Sequence, residues 1–371
     1  MMTESISTSS IPWLSFFGAF FLGFLMRQTN FCTMGAIADT FLMSDLTRLR
    51  QWSLAIGVAI LGVVLLSSLE VIDSTRSIYS GSRLMYLSTL TGSLCFGFGM
   101  VLTSGCGGKT LIRIGGGSLK SVIVFIVLGL FAYFTIRGFL AVLRVNVLDS
   151  FFIELAGPQD IPSIVAQQWG IDRTLAHLYL GLILGFAFIA FALLQNSFWT
   201  ANNLVAGLGV GIFVTIFWWI SGSLAHLLED PNTLEDVFLI TNSGKMESLS
   251  FVAPFAYSLD WLMFFSDTSK VLTIGIVAVL GVIVGSFMHA VYTKSFRWES
   301  FVSPRDTAQH MIGAALMGFG GVLALGCTIG QGISGISTLA LNAFLALPGF
   351  VVGAYIALRY LECSVNQSPC A

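Results

Sequence analysis

The chain has 371 residues, of which 56% are hydrophobic and only 10% are charged, with a mean hydropathy of +0.87. Soluble domains carry roughly 25% charged residues, so this composition excludes a soluble globular protein. It specifies an all-α polytopic membrane protein in a lipid bilayer. Seventeen Lys and Arg against nineteen Asp and Glu leave no basic field for phosphates, which excludes a nucleic-acid binder.

Nine apolar segments approach the roughly 20 residues that a spanning helix needs. They run over about 11–26, 52–72, 84–104, 119–143, 174–195, 204–228, 269–293, 307–326 and 339–360. The first has the length of a signal peptide. Its flank, however, carries only Glu4, and no small-residue cleavage site follows, so it reads as a retained helix. Three polar stretches are long. About 27–51 holds Arg27, Asp39, Asp45, Arg48 and Arg50, and about 144–173 predicts a short interfacial helix. About 229–268 is acidic, with Glu229, Asp230, Glu235, Asp236, Glu247, Asp260 and Asp267. With the N-terminus outside and the C-terminus cytoplasmic, ten loop cations fall inside and six outside, the direction the positive-inside rule requires.

An internal repeat organises the chain. Gly92–Cys106 (GSLCFGFGMVLTSGC) and Gly313–Cys327 (GAALMGFGGVLALGC) align without a gap at an offset of 221. Eight positions are identical, including Gly105/Gly326 and Cys106/Cys327. The two copies are the third and eighth segments, an odd number of crossings apart, so they run in opposite directions. That is an inverted internal repeat, with halves at about 11–145 and 204–360 joined by 146–203. Each copy continues into glycine-rich sequence, GGKTLIRIGGG after Cys106 and TIGQGISG after Cys327. Such backbone can lie at membrane depth only where protein buries it or where it lines a cavity. Two interruptions, each bearing a cysteine, therefore enter as short broken or re-entrant helices.

Around Cys106, the glycines Gly105, Gly107 and Gly108 allow close backbone approach to a ligand. A helix starting near Lys109 would aim its positive end at the break. Lys109 and Arg113 then share one helix face, and the set favours an anion beside a thiol. Around Cys327, flanked by Gly326, no cation follows, and Gln331 offers amide donors instead. Cys32, in RQTNFCTMG, reads from spacing alone as a helix terminus anchored by Arg27. Cys95 pairs with Leu316 across the repeat and reads as core, while Cys363 and Cys370 read as incidental thiols of the tail. His177, His226, His289 and His310 lack ligand spacing, so neither metal nor cofactor is expected.

The strings Asn30-Phe31-Cys32, SGCGGK at 104–109 and GCTIGQGISG at 326–335 resemble the YeeE/YedE family of bacterial sulfur-compound transporters. The likeness runs from about Phe24 to Ala357. It implies an hourglass-shaped membrane fold and thiosulfate uptake across the bacterial inner membrane. It also implies a path through three cysteines, here Cys32, Cys106 and Cys327, and a cytoplasmic sulfurtransferase or small sulfur-carrier partner. Serial weak S–H hydrogen bonds would pass the ion along, with Lys109, Arg113 and Arg27 at the vestibule. Two other readings stand beside this one. Cys106 could serve as the nucleophile of a membrane sulfurtransferase or thiol oxidoreductase, or the path could carry another soft species, a selenium compound or copper(I).

Overall fold

The computed structural model describes residues 10–227, 236–267 and 270–366, and its regular structure is helical apart from two pairs of two-residue strands. In chain order the first half contains α1 (Ser10–Thr29), α2 (Thr33–Ala38), α3 (Thr47–Ser68), α4 (Tyr86–Leu102), α5 (Gly107–Gly115), α6 (Leu119–Ile136) and α7 (Phe139–Leu143). Then come α8 (Ile161–Trp169), α9 (Arg173–Leu193), α10 (Ala201–Trp219), α11 (Ala253–Met263), α12 (Ile274–Tyr292), α13 (Pro304–Leu323) and α14 (Leu341–Asn366). Eight of these helices are long and apolar enough to cross a membrane by themselves. The ninth anticipated span is α13, whose first two turns carry Arg305, Asp306 and His310. Asp306 is held there by Lys120 at 2.6 Å and by His310 at 3.0 Å, and the helix packs between α4 and α6.

Some anticipated boundaries move. The run 119–143 is not one helix, because α6 stops at Ile136 and the chain turns at Arg137-Gly138 into α7. Phe139, Val142 and Leu143 of α7 are exposed, as an interfacial segment requires. Two helical segments, a π turn at Arg144–Leu148 and α8, occupy the stretch in which one was expected. The polar stretch after α1 contains α2, which runs into a π turn at Asp39–Met43. Glu229, Asp230, Glu235 and Cys370 lie outside the described residues.

Hydrogen bonds sort the helix ends into two faces. On the first face, Arg27 at the end of α1 bonds Ser295 after α12 at 3.2 Å, and Leu119 N–H at the start of α6 donates to Glu299 O at 2.8 Å. On the second face, Ile78 N–H donates to Met246 O at 3.1 Å and Ile161 N–H to Leu339 O at 2.9 Å. Arg83-Leu84 pairs with Ile153-Glu154 there, and Arg173 meets Asp160 at 3.1 Å. Thus α4 runs from the second face to the first and α13 from the first to the second. Helix α1 starts at the second face, and α14 ends at the first. Arg137, at the end of α6, belongs with the six cations of the second face, giving ten against seven.

Glycine sets how closely the helices cross. A Cβ on Gly99 would lie 2.5 Å from Gly313 O, and one on Gly313 would lie 2.7 Å from Gly99 O. Gly92 and Gly320 oppose each other in the same way further along the α4–α13 crossing, so the paired glycines of the repeat touch one another. Gly97 abuts the Phe350 carbonyl of α14, and Gly318 abuts the Leu128 carbonyl of α6. This is the small-residue packing that membrane helices use in place of a hydrophobic driving force. Gly99→Val forces backbone apart at the centre of the molecule. It should cost about 1–3 kcal/mol or more and lower the melting temperature in detergent. Gly157→Ala, where an added Cβ has no neighbour within 4 Å, should leave the melting temperature unchanged.

Candidate functional site

Three spanning helices, α1, α4 and α13, end alike. A non-glycine residue adopts left-handed backbone two residues before a cysteine: Asn30 (φ 53°), Ser104 (φ 55°) and Leu325 (φ 59°). The next N–H turns back five residues, from Phe31 to Met26 O (3.2 Å), Gly105 to Met100 O (2.8 Å) and Gly326 to Gly321 O (2.8 Å). This satisfies carbonyls that a helix end leaves orphaned. The sequence pointed to glycine as the conformational element, but the left-handed positions are not glycines. Gly105 and Gly326 are needed for space, because a Cβ there would lie 3.1 Å from the Lys109 side chain and 3.2 Å from Gln331 N. The same stop ends α3 at Glu70 and α12 at Lys294, where no cysteine follows.

Two of the cysteines then cap the next helical segment. Cys32 Sγ accepts the Gly35 N–H at 3.5 Å and Cys327 Sγ accepts the Gly330 N–H at 3.3 Å. Cys106 is the N-cap residue of α5, but its sulfur makes no cap hydrogen bond. Sulfur thus occupies the place where an oxygen side chain normally satisfies the first free N–H groups. In the second half, the residue before α11 is Val252, so that interruption carries no thiol.

The tertiary structure gathers the three thiols. The Cys32 and Cys106 side chains interact with each other. The Gly107-Gly108 pair lets α5 approach the other interruption. A Cβ on Gly108 would lie 3.0 Å from Ile329 Cδ1, 3.3 Å from Met26 Cε and 3.6 Å from the Phe251 ring. Met26, Phe251 and Ile329, all fully buried, thus form an apolar cluster against Gly108, two residues after Cys106, and Ile329 itself stands two residues after Cys327. Cys106 and Cys327 are each 1% exposed and Cys32 is 8% exposed.

On the first face, Lys109 Nζ donates to Asn30 Oδ1 at 3.3 Å and Arg113 Nη1 donates to Thr103 O at 3.4 Å, beside exposed Ser104. Arg48, paired with Asp39 at 3.2 Å, adds a cation near Lys109 that sequence reasoning missed. Arg27 bonds Ile112 O at 3.2 Å and Ser295, so it clamps α1 to α5 and α12 and does not reach the thiols. Gln331 is fully buried and its amide nitrogen donates to Ala324 O, the repeat equivalent of the Thr103 carbonyl that accepts from Arg113. Its donor is committed to closing the turn, and only Oε1 lacks a partner.

On the second face, a cavity of about 220 Å³ reaches Leu325 and Gly326 and is lined by Tyr79, Arg144, Asn242, Glu247, Ser250 and Tyr257. Ser250 is a side-chain partner of Cys327. Nothing in the acidic stretch marked Ser250 or Phe251, because a loop has no periodicity from which its contacts could be read. Cys95 packs against Gly320 within the α4–α13 crossing, and Cys363 is exposed on α14.

Burial predicts reactivity. A membrane-impermeant maleimide should label Cys363 while Cys106 and Cys327 resist, as mass spectrometry of the labelled protein would show. Phe251→Ala should cost about 3–5 kcal/mol and open Cys106 to labelling from the second face. Unchanged protection of Cys106 in a folded variant would show that the Met26–Phe251–Ile329 cluster is not what shields it.

A family model described as sulphur transport matches residues 28–356. A protein of Escherichia coli K12 named thiosulfate transporter TsuA is 25% identical over 359 residues, covering 91% of this chain and 90% of its own length. Its namesake in Spirochaeta thermophila is 26% identical over 365 residues, covering 92% and 96%. All three interruptions fall inside the matched region, and the chain belongs to the sulphur-transport family.

Proposed function

We propose that the chain takes up thiosulfate across the bacterial inner membrane, with the second face and N-terminus outside and the first face and C-terminus cytoplasmic. The halves at about 11–145 and 204–360 act as inverted repeats around one path. One observation carries the reading. Three cysteines from separate interruptions are buried in the protein interior, with a cavity reaching Gly326 beside one of them and a cluster of cations beside the other two. The relatives' names supply the ion, and the cation excess on the first face supplies the direction.

The chemistry follows from the caps. The sulfurs of Cys32 and Cys327 accept a backbone N–H through a lone pair, a bond that does not consume their own S–H. A thiol is a weak, polarisable donor suited to the soft terminal sulfur of thiosulfate. Helix starts and the unpartnered hydroxyls of Thr33 and Thr328, next to Cys32 and Cys327, suit the hard oxygens. The ion leaves Ser250 and Cys327, passes the Met26–Phe251–Ile329 constriction and meets the Cys106–Cys32 pair. It emerges beside Lys109, Arg113 and Arg48. Serial weak sites permit release, as conduction demands. Keeping the cations at the exit avoids a deep trap for a dianion. A cytoplasmic sulfurtransferase or small sulfur-carrier protein then receives it.

Labelled thiosulfate uptake into proteoliposomes tests the relay. Cys106→Ala removes a donor needed at the barrier, and a loss of about 1.4 kcal/mol is already tenfold in rate. Uptake should fall at least that far, and normal uptake would overturn the relay. Cys106→Ser changes size little at a position whose sulfur makes no cap bond, so it should keep the melting temperature yet restore uptake only partly. Excess unlabelled sulfate should compete poorly, because it lacks the soft sulfur.

A further inference from the structure

The cavity on the second face contains a carboxylate, which is an unexpected lining for the entrance to an anion path. Glu247 is partly buried, and its Oε1 accepts the Ser243 N–H at 2.9 Å. The other charged and titratable groups do not offset it. Arg144, from the π turn after α7, shares the cavity but is paired with Asp149 at 3.1 Å. Asp260 of α11 is paired with Lys270 at 2.5 Å. Tyr79 from the loop before α4 and Tyr257 from α11 line the same wall and interact with Glu247 as uncharged phenols. Arg137 at the end of α6 faces Tyr257, and Lys245 on Glu247's own loop points its backbone at Ser243. Arg144 and Glu247 are the charged residues of the lining, and Arg144 is already engaged by Asp149, so ionising Glu247 adds a negative charge that an entering dianion must meet; the protonated cavity is lined by donors, namely the two phenols, Asn242, Ser250 and the Glu247 carboxyl itself. Burial pushes that carboxyl above the usual range.

We propose that this cavity is an outer anion-holding site whose occupancy is linked to one proton on Glu247. A dianion enters the protonated cavity and is disfavoured in the ionised one. The inference rests on the transport reading above and adds a pH dependence to it. The sign is fixed by the group. A carboxyl that must be neutral for binding gives tight binding below its pKa and progressively weaker binding as pH rises through and beyond it.

The test measures KM for labelled thiosulfate presented to the second face of oriented proteoliposomes, from pH 5 to pH 8, at fixed ionic strength. In the wild-type protein KM should be level at the acid end and rise by up to about tenfold per pH unit above the carboxyl's pKa, the slope of a single linked proton. Glu247→Gln is isosteric and permanently neutral, so its KM should stay low and flat, with uptake at pH 8 exceeding wild type. A parallel slope in Glu247→Gln, or its inactivity when its melting temperature is that of the wild type, overturns the proposal. So does a KM that follows sodium concentration at constant pH. An active wild type with a flat profile refutes this inference alone, whereas a wild type that takes up no thiosulfate at any pH refutes the transport reading on which it stands.

Discussion

A chain interrupted inside a bilayer must satisfy its own backbone, because hydrocarbon offers no hydrogen bonds. The rest of this molecule follows from how three interruptions meet that demand. Each helix end is closed by an N–H folding back five residues, and a cysteine follows each; the sulfurs of Cys32 and Cys327 cap the next helical start. A serine or aspartate would cap as well, but it would place a hard oxygen where these positions hold a soft, neutral thiol.

Glycine at the α4–α13 crossing brings those caps together. Gly92 faces Gly320 and Gly99 faces Gly313 at backbone contact, so the two helix backbones touch at these points. The interruptions that follow leave the crossing on opposite sides. Gly107 and Gly108 then let α5 reach Ile329 and Phe251. Larger residues at any of these points would separate the thiols before affecting their individual geometry.

Charge is arranged around this apolar centre rather than within it. Lys109, Arg113 and Arg48 gather at one end, where each has an oxygen partner. The other end holds a cavity in which the one arginine is already paired. A fixed, unpaired cation in the cluster against Gly108 would hold a divalent anion too tightly for passage, and that cluster is instead built from methionine, phenylalanine and isoleucine.

Composition and hydropathy determine the membrane-helical class, and the apolar runs locate the eight segments long and apolar enough to cross a membrane among the described residues; α13, with its charged first turns, is a helix where the run at about 307–326 predicts one but falls outside that set. Glycine and cysteine recurring at one offset identify the interruptions. These features are legible because a spanning helix is a local object, judged by length and apolarity alone, and because a repeat is a property of the string. The roles within the site were less legible. Gln331 stood out as a donor, but its amide nitrogen is spent on Ala324 O, and Arg27, grouped with the vestibule cations, clamps three helices. Glycine marked the breaks, yet Asn30, Ser104 and Leu325 make the turns. Phe251 and Ser250 gave no signal at all, and Glu247 stood out only as one acid of a polar stretch. Their place beside Gly108, Cys327 and the second-face cavity depends on which surfaces a long irregular loop meets after the helices have packed, and contacts between residues far apart in sequence are decided only by the tertiary structure.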